Sequence, residues 1–211
     1  MTKIEIKNVT KKFRNHTVID NVSLEMRSGT VTGLRGINGS GKTMLMRLIC
    51  GLILPTEGEI LINGKVLGKD MDFPESLGFL IENPAFLESY SGFDNLKMLA
   101  NVKRCISDQE IMDVISRVGL DPTDKKKYKK YSLGMKQRLG IAGAIMEKPD
   151  IVLLDEPTNA LDTKGIDMLK KIVSSEKERG ALVVLTCHDT AILEEMADEI
   201  HFMEDGRIVN V

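Results

Sequence analysis

Apolar and polar residues alternate along Ile4-Glu5-Ile6-Lys7-Asn8-Val9 and again along Val22-Ser23-Leu24-Glu25-Met26, the two-residue period of half-buried strands. Ser28-Gly29 turns the chain into Val31-Thr32-Gly33-Leu34, a glycine-rich stretch follows, and Met44 to Ile49 then reads as helix, stopped by Gly51. Gly58 to Gly64 predicts a strand ending in an Asn-Gly turn, and Leu77 to Ile81 another strand. From about 84 to 148 the period becomes helical. Ser91 with Asp94 and Ser107 with Glu110 are spaced as capped helix starts, and Ser132 caps a third helix running towards Glu147. Ile151-Val152-Leu153-Leu154 and Leu182-Val183-Val184-Leu185 are continuous apolar runs, as in strands covered on both faces of a parallel sheet. Helices are expected at about Ile166–Lys177 and Ile192–Ala197, and an Asp205-Gly206 turn joins two last short strands. The pattern predicts one α/β domain over 1–211, with a core of 1–83 and 149–211 and a helical subdomain over about 84–148. It shows no internal repeat.

Composition narrows this picture. The chain has 211 residues, 42% hydrophobic and 28% charged, enough to bury a core. A formal net charge of -2 and the absence of Trp argue against general nucleic-acid binding. Cys50, Cys105 and Cys187 are widely spaced and fit neither a zinc site nor a disulfide framework. No stretch has the length of a membrane span, and the N-terminus reads as a polar strand rather than a signal peptide.

The chemistry starts at Gly36-Ile37-Asn38-Gly39-Ser40-Gly41-Lys42-Thr43, which fits the eight-residue phosphate-binding loop in full. Such a loop turns the backbone N–H groups of Asn38, Gly39, Ser40 and Gly41 towards phosphate oxygens, and the helix beginning at Lys42 adds its positive dipole end. The Lys42 ammonium is expected on the β and γ phosphates and the Thr43 hydroxyl on Mg²⁺. The preceding strand and following helix are the context this loop requires, so binding and hydrolysis of a nucleoside triphosphate are expected.

Asp155 and Glu156 close the apolar strand Ile151–Leu154. Beside a phosphate loop, Asp155 is the candidate carboxylate for Mg²⁺, and Glu156 the group that polarises a water for attack on the γ phosphate. Taken alone, Asp155-Glu156-Pro157-Thr158 also reads as a polar exit from a core strand.

With these residues in order, nearly the whole chain resembles the nucleotide-binding subunit of an ATP-binding cassette (ABC) transporter. Gly36–Thr43 matches its Walker A motif, Ile151–Asp155 its Walker B motif with Glu156 at the catalytic carboxylate, Ala160-Leu161-Asp162 its D-loop and His188 its switch histidine. The resemblance places Phe13 on the adenine. It reads Tyr131 to Arg138 as the signature motif, with Ser132 and Gly134 contacting the γ phosphate held by a second subunit. Ser132 is also a plain helix cap, which suits both roles. The resemblance implies ATP and Mg²⁺ as ligands, a homodimer formed on ATP binding, and a separate transmembrane permease. It places the chain in the cytoplasm, peripheral on the inner face of the membrane.

Two motifs depart from the common form. Leu133 and Met135 replace a glycine and the glutamine of Leu-Ser-Gly-Gly-Gln, and Glu82 stands at the Q-loop glutamine position, where it is expected to reach Mg²⁺ through one oxygen. Both departures resemble the bacitracin-resistance and lantibiotic-immunity branch of ABC exporters. Members of that branch usually carry a longer C-terminal tail. The chain stops at Val211, which reads as a shortened member, a truncated form or a relative with different cargo.

Other features are read plainly. His16 is expected in a loop and His201 on a strand near the surface. The lysine-rich stretch Lys125–Lys130 reads as a solvated loop. Phe86 to Phe93 lies where the resemblance places the permease contact. The alternatives are a soluble ABC ATPase acting on nucleic acid or the ribosome, and a metabolic P-loop kinase. The first generally carries two cassettes or a coiled-coil insertion, and the second lacks a signature and a switch histidine.

Overall fold

A computed structural model describes residues 1–14 and 16–209. The chain opens with β1 (Lys3–Phe13) and β2 (His16–Arg27), joined by β4 (Glu57–Ile62) and β5 (Lys65–Val66) in an antiparallel sheet of order β2-β1-β4-β5. The second sheet holds β3 (Val31–Arg35), β6 (Leu77–Leu80), β7 (Ile151–Leu154), β8 (Leu182–Thr186), β9 (Glu199–Glu204) and β10 (Arg207–Val209). Its order is β10-β9-β3-β8-β7-β6, parallel throughout except for the terminal β9–β10 hairpin. α1 (Lys42–Ile49) follows β3. α2 (Gly92–Lys103), α3 (Asp108–Arg117), a 3-10 turn at Tyr128–Lys130 and α4 (Leu133–Ile145) fall between β6 and β7. α5 (Thr163–Glu178) and α6 (Thr190–Met196) complete the chain. This is the expected α/β class: an antiparallel N-terminal portion and helices inserted into a mostly parallel sheet.

Every residue of β7 and β8 is buried, as their unbroken apolar runs require of strands covered on both faces. One core cluster lies between α1, the antiparallel sheet and one face of the parallel sheet. The other lies between the opposite face and the helices α2 to α6. α2 and α3 begin with complete capping boxes, Ser91 with Asp94 and Ser107 with Glu110, each satisfying two helix-end donors. α4 starts where the Ser132 hydroxyl accepts the Met135 N–H.

β1 runs to Phe13, past the predicted Val9, and β2 and α5 are also longer than the pattern predicts. β2 begins at His16 rather than Val22, because pairing with β1 carries it past Asp20-Asn21 through register shifts, with Asn21 at φ 50°. His16 is therefore a strand residue and not a loop residue. α5 begins at Thr163, three residues before Ile166, because the Asp162 carboxylate accepts the Gly165 N–H and starts the helix there. Among the described residues no helix is long and apolar enough to cross a membrane.

Candidate nucleotide site

The sheet order places β3, β8 and β7 side by side, so their C-terminal ends form one row. The phosphate loop leaves β3, His188 follows β8, and Asp155 and Glu156 follow β7. Crevices at the C-terminal ends of parallel strands are where such sheets bind ligands. A cavity of about 570 Å³ opens there. Its walls are Asn38, Gly39, Gly41, Lys42 and Thr43 from the loop, Asp155 and Glu156 from β7, His16 to Val18 from β2, and Asp205 and Gly206 from the last hairpin.

The loop is held by close backbone approach. Gly41 has φ 106°, and a Cβ there would stand 2.9 Å from Ile19 Cδ1 and 3.0 Å from the Val18 carbonyl oxygen. Only glycine meets both conditions. Lys42 is 6% exposed, and its ammonium donates to the carbonyls of Gly36 at 2.7 Å and Ile37 at 3.1 Å. The ammonium thus arches over the loop. Ser40 Oγ is buried and without a partner among the described residues, an unsatisfied donor within the same loop. One ammonium and one orphan hydroxyl on a glycine-rich loop at a helix N-terminus fit a phosphate chain.

The metal candidates meet directly. Thr43 Oγ1 donates to Asp155 Oδ2 at 2.7 Å, so the hydroxyl and the carboxylate share one face of the cavity. One carboxylate and one hydroxyl make a sparse, all-oxygen donor set. It suits Mg²⁺, which takes few protein ligands and completes its shell with water and phosphate oxygens. Among the described residues no group of three His, Cys, Asp or Glu is spaced to hold a metal.

Thr186, the last residue of β8, organises both acids and was not legible in the sequence. Its buried hydroxyl donates to Asp155 Oδ1 at 2.9 Å and accepts the Glu156 N–H at 2.7 Å. Gln137 of α4 adds an Nε2 hydrogen bond to the Glu156 carbonyl at 3.2 Å. Glu156 itself has φ 48°. That left-handed conformation is costly for a non-glycine residue and persists only where its surroundings fix it. Thr186 and Gln137 help fix it, together with the Asn159 N–H, which donates to the Glu156 carbonyl at 3.1 Å.

The Glu156 side chain lies against His188. The His188 N–H donates to Oε2 at 3.1 Å, and His188 Nε2 stands 3.3 Å from Oε1. That second contact is within ion-pair distance without hydrogen-bond geometry, and Oε1 remains a buried acceptor with no donor. Burial raises the Glu156 pKa above the ordinary carboxylate value, and the charges of His188 and Lys42 pull against it. A raised pKa and a free carboxylate oxygen are what a group that polarises water requires.

The remaining sequence candidates lie around this centre. Phe13 ends β1, pairs in register with His16 of the cavity wall, and exposes its ring (46%), with the Lys11 ammonium 5.0 Å from the ring centre. Ser132 and Gly134 lie at the start of α4, outside the cavity wall. A Cβ on Gly134 would approach the Ala160 carbonyl oxygen to 2.8 Å, so the start of α4 and the segment around Ala160 are neighbours within one chain. Arg138 Nη2 also donates to Asp162 Oδ1 at 2.9 Å. Glu82 is not in the cavity wall: its carboxylate pairs with Arg47 of α1 at 2.5 Å. Nothing in the sequence flagged Arg47. His201 lies on β9, and burial lowers its pKa.

Comparison with known proteins identifies the family. The family model described as ABC transporter matches residues 19–159. An uncharacterised ABC transporter ATP-binding protein of Bacillus subtilis, YybJ, is 51% identical, across 97% of this chain and 94% of its own. The lantibiotic transport ATP-binding protein SrtF of Streptococcus pyogenes is 35% identical, across 98% and 89%. The structure of MJ0796, a bacterial ABC transporter cassette solved as a dimer, superposes with a TM-score of 0.86 at 26% identity, over 98% of this chain and 97% of that one. The chain belongs to the ABC transporter family, as an ATP-binding and ATP-hydrolysing subunit.

Proposed function

We propose that this subunit powers export of a peptide antibiotic, of the lantibiotic and bacitracin class, through a separate transmembrane permease. The name of the relative SrtF supports the cargo class, as do Glu82 at the Q-loop and Leu133 and Met135 in the signature. The subunit works on the cytoplasmic face, attached to the membrane through the permease. Residues 84–148 act as a helical subdomain on a core of 1–83 and 149–211.

The observation that carries the reading is the convergence of Lys42, Thr43, Asp155 and Glu156 on one cavity, with Thr43 and Asp155 already bonded at 2.7 Å. ATP lies along the loop with its phosphates on the N–H groups of residues 38–41 and its adenine on the Phe13 ring. Lys42 leaves the Gly36 and Ile37 carbonyls for the β and γ phosphates. Thr43 and Asp155 hold Mg²⁺, which when bound neutralises charge on the phosphate oxygens. Glu82 is the further metal candidate, and it has to leave Arg47 to act there. Glu156 orients water for in-line attack, and His188 steadies both the carboxylate and the charge that develops on the γ phosphate.

Two copies pair head to tail, and Ser132 and Gly134 of each close over the γ phosphate held by the other. The dimeric cassette MJ0796 supports such pairing. The permease contact is the apolar cavity of about 530 Å³ beside β6, walled by Phe79, Phe86, Leu99 and Val102 among others. ATPase activity measured with and without the cognate permease, across a panel of peptide antibiotics, tests the whole. Stimulation by the permease and one peptide class is expected, and turnover indifferent to both contradicts the assignment.

A further inference from the structure

The last hairpin reaches back over the phosphate loop. β9 pairs in parallel with β3, Arg35 opposite Phe202, so it runs beside the strand that feeds the loop. Where the loop begins, a Cβ on Gly36 would stand 2.2 Å from the Met203 carbonyl oxygen. Further along, the Asp205-Gly206 turn sits between β2 and the loop. The Gly206 N–H donates to the Ser40 carbonyl at 3.0 Å, and the Gly206 carbonyl accepts the Asp20 N–H at 2.9 Å. Gly206 is buried and has φ 78°, and a Cβ there would meet the Val18 carbonyl oxygen at 2.7 Å and Ile19 Cα at 3.1 Å. Both are backbone atoms of a paired strand, which do not yield as a side-chain tip does. Beside the turn, Arg207 donates through Nε and Nη2 to Asp20 Oδ2, at 2.8 and 2.6 Å. The Asn63-Gly64 turn offers the contrast: its glycine is also left-handed, φ 80°, with nothing within 4 Å of the place a Cβ would take.

We infer that Gly206 is a positioning residue for phosphate binding, acting through the Ser40–Gly41 peptide. The Ser40 carbonyl and the Gly41 N–H belong to one planar unit, and in this trans unit they point in opposite directions. Holding the carbonyl therefore fixes the direction of the Gly41 N–H, which points away from the hairpin. A donor aimed in advance binds an anion without first having to be ordered. A side chain at 206 forces the turn off β2 and lengthens the bond to Ser40, which frees the peptide to rotate. Arg207 holds the turn against β2 and contributes less, because its side chain is 66% exposed. The sequence marks Asp205-Gly206 only as a turn, and the contact with Ser40 comes from the far end of the chain. The role rests on the phosphate contacts proposed above for residues 38–41.

The test is calorimetric titration with ADP and with inorganic tripolyphosphate, each with Mg²⁺. Gly206→Ala is expected to weaken both ligands by the same factor, about tenfold, the scale of one hydrogen bond to a charged group. Gly64→Ala carries the same backbone strain away from the loop, and should lower the melting temperature while holding both affinities within about twofold. Arg207→Gln should weaken both ligands about two- to threefold, and Arg207→Lys should recover most of that loss. In steady state, Gly206→Ala should raise KM for ATP and leave kcat within about threefold, because Glu156 and Thr186 keep their contacts. A Gly206→Ala protein that binds tripolyphosphate like the parent, or that loses ADP alone, refutes the role. So does an equal loss of affinity in Gly64→Ala. Should circular dichroism show Gly206→Ala unfolded, Arg207→Gln decides, and parental affinity in that variant refutes the role. Lys42→Ala checks the loop itself: undiminished tripolyphosphate binding there overturns the phosphate contacts, and the role of Gly206 with them.

Discussion

Thr186→Val replaces the hydroxyl that joins the two acids with a methyl of nearly the same volume. The side chain is fully buried, so water does not replace what is lost. Two groups lose a partner: Asp155 Oδ1, left with no donor in place of the 2.9 Å bond, and the Glu156 N–H, left without the 2.7 Å acceptor. Each buried orphan costs about 1–3 kcal/mol, so the substitution should cost about 2–6 kcal/mol of stability. For a chain of this size that lowers the melting temperature by roughly 5–20 °C. Turnover should fall further than nucleotide affinity, because the left-handed Glu156 loses one of the bonds that fixes it while the phosphate loop is untouched. Thr186→Ser is the control. It keeps the hydroxyl, removes one buried methyl at a cost of about 1 kcal/mol, and should retain turnover. Thermal unfolding and steady-state phosphate release on the three proteins decide the matter. A Val variant as stable and active as the parent, or a Ser variant as impaired as Val, refutes the role given to Thr186.

Ser91→Ala removes the buried cap of α2 and should cost about 1 kcal/mol in urea unfolding, with ATP affinity unchanged. Phe13→Ala should weaken ATP binding several-fold while leaving triphosphate alone bound as before; equal loss for both removes the adenine role. Because burial raises the Glu156 pKa, the folded protein holds its proton more tightly than the unfolded chain does. Turnover should therefore fall as pH drops through a value above the ordinary 4.5, and an acid limb at or below 4.5 contradicts the site. By the same linkage the ionised Glu156 costs stability above the folded pKa. Glu156→Gln should then be the more stable protein at pH 7, with the difference vanishing below about pH 4.5.

The parts legible in the sequence are those with local causes. The capping boxes at Ser91 and Ser107, the Asn63-Gly64 turn and the buried runs of β7 and β8 follow from neighbours within a few residues, and each lies where the pattern puts it. The first half of β2 was hidden because Asp20-Asn21 resembles a turn, and only pairing with β1 overrides that local preference. The start of α5 was hidden because Thr163-Lys164-Gly165 has no apolar periodicity, and the cap on Asp162 decides it. The site divides the same way. Gly36 to Thr43 acts through its own backbone and is visible as a motif. Thr186 meets Asp155 only because β8 lies beside β7, and Arg47 meets Glu82 across 35 residues of chain. Such roles are set by sheet order and helix placement, which no spacing within the sequence encodes.

The central claim is that Glu156 activates water against an ATP held by the Gly36–Thr43 loop. Single-turnover phosphate release from bound ATP, compared between the parent and Glu156→Gln, tests it most directly. The account predicts that the variant binds ATP as tightly as the parent and releases phosphate at least about a hundredfold more slowly, the lower end of what a positioned acid or base contributes. Near-parental phosphate release from the variant would contradict it.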